Sequence, residues 1–230
     1  MSLADFLKEE LVDDTVFTIP VGKGIGISES TAVSWVVMAV IILLCIILGS
    51  NLKVDHISKR QAAAEFIVTK LESTVGNIVG EGGKAYVPYL VTVLLYLGFA
   101  NIIGVFGFKP PTKSLIVTGA LAVMSIILVE AAGIRAKGPG GWLHSFIEPM
   151  PIVAPFNILD VFTRPLSLCM RLFGNVLGAF VIMELIKLVV PVFVPAIFSL
   201  YFDLFDGLIQ TYVFVFLTSL FMKETMGDEE

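Results

Sequence analysis

An arginine inside an apolar stretch is the residue whose chemistry most needs explanation. Arg171 lies in the segment PLSLCMRLFGN, residues 165–175, which opens an apolar run that continues to Leu188. A charged side chain near a bilayer centre costs about 2.5–3.5 kcal/mol on insertion scales, so such a residue normally has a function. Its guanidinium does not release its proton in a protein. Arg171 is therefore predicted to be a fixed positive charge that gates ions without carrying one.

The residues spaced around Arg171 form a narrow polar face. On an α-helix, Ser167, Arg171, Asn175 and Gly178 lie within about 40° of one line, with Gly174 beside it. Small residues at this position allow another helix to approach closely. The alternative is a structural arginine that pairs, buried, with a carboxylate of its own chain.

Acidic residues in the last apolar segment are the second group that could handle ions. Asp203, Asp206 and Gln210 follow one another at i, i+3 and i+7, within about 60° on a continuous α-helix. Two carboxylates and an amide in an apolar span are typical of a water-filled ion path. Glu184 is the acid nearest to them on the Arg171 segment. The alternative is that the two aspartates form ion pairs with Arg171 or Lys187.

Other polar residues indicate no metal or cofactor chemistry. Cys45 and Cys169 both fall in apolar runs, where a thiol behaves as a small hydrophobe, and their spacing fits no metal site. The two histidines lie in loops without a partner at ligand spacing. Asn101 and Glu130 lie inside apolar segments, as interhelical hydrogen-bond partners or as residues of a water path.

Membrane helices must hold these residues in place. Apolar residues make up 57% of the chain and charged residues only 15%, and the mean hydropathy is +0.92. The average soluble protein is about 45–50% apolar and about 25% charged. The formal net charge of −5, with no cluster of Lys and Arg, excludes a nucleic-acid partner. These values predict an all-α polytopic membrane protein.

Hydropathy and helical periodicity divide the chain into spans. We predict five transmembrane helices, at about 31–49, 85–108, 114–133, 160–187 and 196–222, the last two long and tilted, and an interfacial amphipathic helix at about 61–80. A soluble connecting helix is the alternative for 61–80. The spans form a single membrane domain over residues 31–230, preceded by an outward-facing segment, residues 1–30.

The distribution of basic residues predicts the orientation. Basic residues follow the first and third spans: Lys53, Lys59, Arg60, Arg135 and Lys137. Because positive flanks mark the cytoplasmic side, the N-terminus is expected outside and the C-terminus inside. The Gly-Pro-Gly-Gly stretch at 138–141 predicts a cytoplasmic loop, and the prolines of residues 142–159 predict an irregular or interfacial segment.

The motif around the arginine resembles a known family. PLSL at 165–168, followed by MRLFGN at 170–175, is similar to the signature of subunit a of F-type ATP synthases, the stator ion channel, and the resemblance covers most of the chain beyond residue 30. It implies that Arg171 faces the ion-binding carboxylates of the rotating c-ring, with Asn175 on the same helix. It also implies peripheral-stalk b subunits as partners, H⁺ or Na⁺ as the transported ion, and a bacterial plasma membrane.

One further pair of positions matches the pattern that the resemblance implies, and three positions depart from it. The ionisable residue that family members place seven residues before a glutamine corresponds to Asp203 before Gln210. The glutamate that some members place nine residues after the arginine is absent, and Phe180 stands there. An aspartate and an asparagine that follow a Pro-Thr pair are replaced by Ser114 and Ile116.

Three functions compete on these observations. In the stator ion channel, two half-channels lead to the c-ring carboxylates and Arg171 separates them. A secondary ion transporter, the alternative, commonly has inverted repeats or matching broken helices, and the sequence has none. A membrane scaffold would not explain the charged residues of the last two helices. No Gly-x-x-x-x-Gly-Lys-Ser/Thr loop is present, so the chain is predicted to be a non-catalytic subunit.

Overall fold

The computed structural model is a bundle of long helices. The structure describes residues 15–19, 25–50, 52–53, 58–147, 150–189 and 193–227. Within these ranges, only the backbone is described for residues 15–19, 25, 151, 188–189, 193–194, 196 and 203. The helices are α1 Glu29–Gly49, α2 Lys59–Val79, α3 Val87–Ile102, α4 Leu115–Ser145, α5 Ala154–Val189, α6 Phe193–Ser199 and α7 Gly207–Met226. A π-helical turn, Leu200–Asp206, joins α6 to α7. Within the described ranges, five helical segments are long and apolar enough to cross a membrane.

A short hairpin precedes the first span. Strands β1 Thr15–Ile19 and β2 Ile25–Ser28 pair antiparallel, which the sequence pattern did not predict. Ser28 then caps α1, because its Oγ accepts a hydrogen bond from the backbone N–H of Thr31 at 3.4 Å. Residues 1–14 and 20–24 of the predicted N-terminal segment lie outside the described residues.

Helix α2 corresponds to the predicted amphipathic helix. Ser58 caps it by accepting from the backbone N–H of Gln61 at 3.2 Å. Val75 and Val79 are buried in the core of the bundle, where α2 packs on α3 and α7. Phe66 and Ile67 remain exposed. An exposed apolar surface on an amphipathic helix suits contact with the bilayer interface.

Helices α3 and α4 flank the C-terminal helix. The turn between them contains Gly107 at φ 83°, a left-handed conformation that glycine adopts without strain, and a 3₁₀ turn at Pro111–Lys113. Both helices pack against α7. The two helices that this turn connects thus share a third helix as their packing partner.

Two regions predicted to be irregular are helical in part: the predicted loop at 138–141, and residues 142–145 and 154–159 of the stretch 142–159, whose other described residues form no α-helix. Helix α4 runs through Arg135 and Lys137, turns at Gly138 (φ 73°), and resumes to Ser145. The left-handed glycine ends one helix, and Pro139 begins the next, where its missing N–H is not needed. Helix α5 likewise starts at Ala154, inside the stretch expected to be irregular, with Pro155 in its first turn.

The last span is interrupted. It consists of α6, the π-helical turn and α7, so the continuous α-helix assumed for residues 196–222 was a wrong prediction over 200–206. One extra residue in a helical turn rotates the preceding residues by about 100° relative to a continuous α-helix. The predicted shared face of Asp203, Asp206 and Gln210 therefore does not follow from their spacing.

The core lies between α3, α4, α5 and α7. Leu97, Leu172, Val215 and Met222 are fully buried there. The approach of α4 to α7 is close, because a Cβ added at Gly133 would lie 2.4 Å from Cγ2 of Thr225. Small residues at such crossings are typical of membrane bundles. The prediction of an all-α polytopic membrane protein with five crossings is confirmed.

Candidate functional site

The polar face of α5 is uncovered by the rest of the chain. Ser167, Arg171 and Gly174 are exposed, and Asn175 and Gly178 are half-buried. A Cβ added at either glycine would meet no atom within 4 Å. The close helix approach predicted for these glycines is therefore not made by a described part of this chain, and the space stays open for another molecule.

Arg171 has no acidic partner within the described part of the chain. No described carboxylate lies within ion-pair distance of its guanidinium. Its backbone carbonyl accepts a hydrogen bond from Nε2 of Gln210 at 3.3 Å, which ties the position of the helix but leaves the side chain unpaired. The alternative of a buried arginine tied to its own chain does not hold for the described carboxylates.

A second polar contact between α5 and the last span lies one turn from the first. Nδ2 of Asn175 donates to the carboxylate of Asp206, the final residue of the π-helical turn. Asp206 and Gln210 thus both contact α5. Asp203 lies within that turn, and its side chain is outside the described residues.

Glu184, the acid near the C-terminal end of α5, forms an ion pair within its own helix. Oε1 of Glu184 lies 2.6 Å from Nζ of Lys187, and the Glu184 side chain is only 14% exposed. The alternative in which Lys187 pairs with Asp206 therefore does not hold, since each has a different partner.

A cavity of about 460 Å³ joins these residues. It lies between α5, the last span and the turn that precedes α4, and its lining includes Asn101, Lys113, Asn175, Phe180, Glu184 and Asp206. Neither Arg171 nor Ser167 is part of the lining. Because Asn175 is one helical turn from Arg171, the cavity ends about one turn, or roughly 5.4 Å, from the arginine.

A buried lysine in this cavity was missed by the sequence analysis. Lys113 is 9% exposed, and its Nζ lies 3.4 Å from the centroid of the Phe180 ring. A cation over an aromatic face is favourable, the more so away from water. Phe180 stands where some members of the family that the sequence resembles have a glutamate, and its ring contacts a cation here. The signal was a lysine directly after the Pro-Pro-Thr turn.

The other end of the α5–α7 pair is closed by an ion pair. Nη2 of Arg164 lies 2.7 Å from Oε1 of Glu224, and Nη1 lies 3.4 Å from Oγ1 of Thr225. Of the other polar residues in the spans, Glu130 accepts from Nε1 of Trp142 at 2.8 Å. Asn101 is a hydrogen-bond partner between helices, one of the two roles predicted for it.

Comparison of the sequence with known proteins finds relatives in one family. The family model described as ATP synthase A chain matches residues 31–223. The sodium-ion-specific ATP synthase subunit a of Propionigenium modestum is 32% identical, with 96% of this chain and 83% of that relative covered. ATP synthase subunit a 1 of Crocosphaera subtropica is 30% identical over 88% of this chain and 89% of the relative. ATP synthase subunit a 2 of a Bradyrhizobium strain is 33% identical over 88% and 91%.

Proposed function

The chain belongs to the ATP synthase A chain family, and we propose that its open arginine face divides two half-channels that pass ions to and from the c-ring. It is an ion-translocating stator subunit of an F-type ATP synthase, a non-catalytic subunit of the membrane sector, which works beside a c-ring. The protein is therefore not a secondary ion transporter, which was the alternative function. What the proposal adds is the role of each residue.

One observation carries the proposal: Arg171 is exposed and unpaired among the described residues, on a face where Gly174 and Gly178 leave open space. An unpaired cation inside a membrane is costly, so a partner from outside the chain is expected to compensate it. A carboxylate of the c-ring is such a partner.

The mechanism follows from the permanence of the charge. A ring carboxylate that faces lipid must be neutral, because a buried charge without a partner is expensive. When it meets the guanidinium of Arg171, the ionised form is favoured and the ion leaves. Past the arginine, the carboxylate must take up an ion again before it returns to lipid. Each ion that crosses releases about 2.3 kcal/mol per 100 mV of membrane potential.

We propose that the cavity between α5 and the last span is the outer half-channel. Asn175 and Asp206 lie at its inner limit, nearest to Arg171, and Glu184 lies farther along α5. Asp203 and Gln210 are proposed to belong to the same path. Ser167, on the opposite side of Arg171, is proposed to belong to the inner half-channel. The transported ion is H⁺ or Na⁺; one relative is sodium-ion-specific by name.

We propose the orientation and neighbours from the same reasoning. The protein is placed in a bacterial plasma membrane with the N-terminus outside and the C-terminus inside, supported by the basic residues after the first and third spans. Helix α1 exposes apolar side chains along its length, among them Trp35, Ile42 and Ile46, which suits contact with lipid and with peripheral-stalk b subunits. Impermeant thiol labelling of Ser2→Cys and Asp228→Cys tests this, and labelling of both from one side contradicts it.

The decisive experiment for the function replaces Arg171 by alanine in the complete ATP synthase, reconstituted in vesicles. Because the side chain has no described partner within its own chain, the complex is expected at normal abundance. ATP-driven ion pumping should be lost and passive ion flux should rise, since nothing forces the passing carboxylate to release its ion. Near-normal pumping would overturn the proposal. Thr92→Val in α3, whose hydroxyl bonds to its own helix at the Pro88 carbonyl, is the control.

A further inference from the structure

A buried amide holds the point at which the π-helical turn gives way to α7. Asn101, at the end of α3, is 3% exposed. Its Nδ2 donates to the backbone carbonyl of Gly207 and to Oγ1 of Thr211, both at 3.0 Å. Its Oδ1 accepts from Oγ1 of Thr112 at 2.7 Å. Both N–H groups and the carbonyl oxygen of this amide thus have partners, which a buried amide requires.

Helix α3 also touches the backbone of the last span at this point. Gly207 is buried, and a Cβ added there would lie only 2.9 Å from Cβ of Asn101. Oγ1 of Thr211 donates to the same Gly207 carbonyl at 2.8 Å. Asn101 and Thr211 therefore fix one backbone carbonyl at the junction between two kinds of helix.

The junction decides where the neighbouring site residues point. Asp206 directly precedes Gly207 and contacts Asn175, while Gln210 follows by one turn or less and contacts the Arg171 carbonyl. A slip of the last span by one residue past Asn101 would rotate these side chains by about 100° around the helix axis. They would then no longer face α5.

We infer that Asn101 is a positioning residue for ion translocation. Its amide fixes the rotational register of the last span at Gly207, so that Asp206 and Gln210 meet α5 beside Arg171. Thr112 orients the amide for this purpose. The inference rests on the proposed function of the arginine face, and it concerns how that face is held in place.

The test measures the geometry directly in the full ATP synthase. Cysteines replace Asn175 and Asp206, serines replace Cys45 and Cys169, and a short bifunctional thiol reagent cross-links the pair. Asn101→Leu, which keeps the branched shape of the side chain but removes the hydrogen bonds, is expected to lower the cross-linking yield severalfold at equal abundance of complex. Thr92→Val is the matched control on the same helix, because the Thr92 hydroxyl bonds only to its own helix at the Pro88 carbonyl. An unchanged yield in Asn101→Leu would overturn the inference.

A second variant keeps the test decisive if Asn101→Leu fails to accumulate. Gly207→Ala leaves the amide in place but forces the junction away from it, so it should lower the yield as well, and an unchanged yield contradicts the inference. With native cysteines and site residues, Asn101→Leu should also reduce ATP-driven pumping and change its pH profile, which a purely structural role would leave unaltered. The cross-linking result does not depend on ion transport. Failure of the Arg171→Ala experiment is therefore distinguishable from failure here.

Discussion

Two arginines of helix α5, seven residues apart, are used in opposite ways. Arg164 is 17% exposed in its side chain and pairs with Glu224 at 2.7 Å, and its guanidinium carbon lies 5.0 Å from the Phe221 ring. Arg171 is exposed and has no described carboxylate in reach. The same residue type thus ties two helices together at one position and is presented outward two turns later.

Under the proposed function, the difference separates an arginine that serves the fold from one that serves a partner. A protein tolerates an unpaired charge in a membrane only where something else compensates it. Arg164 is compensated by its own chain, so its function is complete in the monomer. Arg171, under the proposal, is compensated only in the assembled complex. Substitutions at and near the two arginines test this difference.

The largest effect is expected when an ammonium replaces the guanidinium at position 171. Arg171→Lys should lose most ATP-driven ion pumping at normal abundance, because a compact ammonium on a flexible stem does not reproduce a planar, permanently charged guanidinium. A decrease of at least about tenfold in the pumping rate corresponds to an increase of about 1.4 kcal/mol in the activation free energy. Pumping and passive flux in vesicles measure it.

Arg164→Lys is the matched control for this exchange. It keeps an ion pair with Glu224 within reach and should leave pumping close to normal. If both lysine variants pump equally well, the two arginines do not differ as described.

A large effect is also expected from filling the open space beside Arg171. Gly174→Leu should leave the subunit folded, since a Cβ there meets nothing within 4 Å, but it should block the approach of the ring and lower coupled ATP synthesis. Gly140→Leu in α4, which has equally open surroundings, is the control. Normal synthesis by Gly174→Leu would mean that no helix packs on this face.

An intermediate effect is expected in the cavity. Asp206→Asn should slow ion-driven ATP synthesis severalfold, because the amide keeps a hydrogen-bonding group near Asn175 but cannot exchange an ion. Glu184→Gln should slow it less, since the Glu184 charge is already paired with Lys187. Synthesis rates over a range of pH, at equal complex abundance, rank the two. A larger effect of Glu184→Gln would place the exchanging group farther from Arg171.

The smallest effect on transport is expected at Arg164. Arg164→Ala removes a partly exposed ion pair, which contributes about 1 kcal/mol or less, so the thermal stability of the complex in detergent should fall slightly. The number of ions pumped per ATP should not change. A loss of coupling would contradict the purely structural role of this arginine.

Much of the architecture was predictable from the chain because it depends on local properties. The five crossings follow from apolar length, and the polar line through Ser167, Arg171 and Asn175 follows from helical spacing. The loop predicted at 138–141 is shorter in the structure, because a single left-handed glycine is enough to end one helix and Pro139 then begins the next. The start of α5 was predicted too late because Pro155 was taken as a sign of irregular structure, although proline is accepted in a first helical turn.

The sequence by itself determined that a permanent cation lies within a membrane span, because hydropathy and the chemistry of guanidinium need no knowledge of neighbours. Only the tertiary structure decided that no described carboxylate reaches Arg171, that Lys113 lies over Phe180, and that Asn101 holds the junction at Gly207. The π-helical turn likewise could not be derived from spacing. These features depend on residues that are far apart in the chain. At Gly207, for example, the side chain of one helix hydrogen-bonds to the backbone of another.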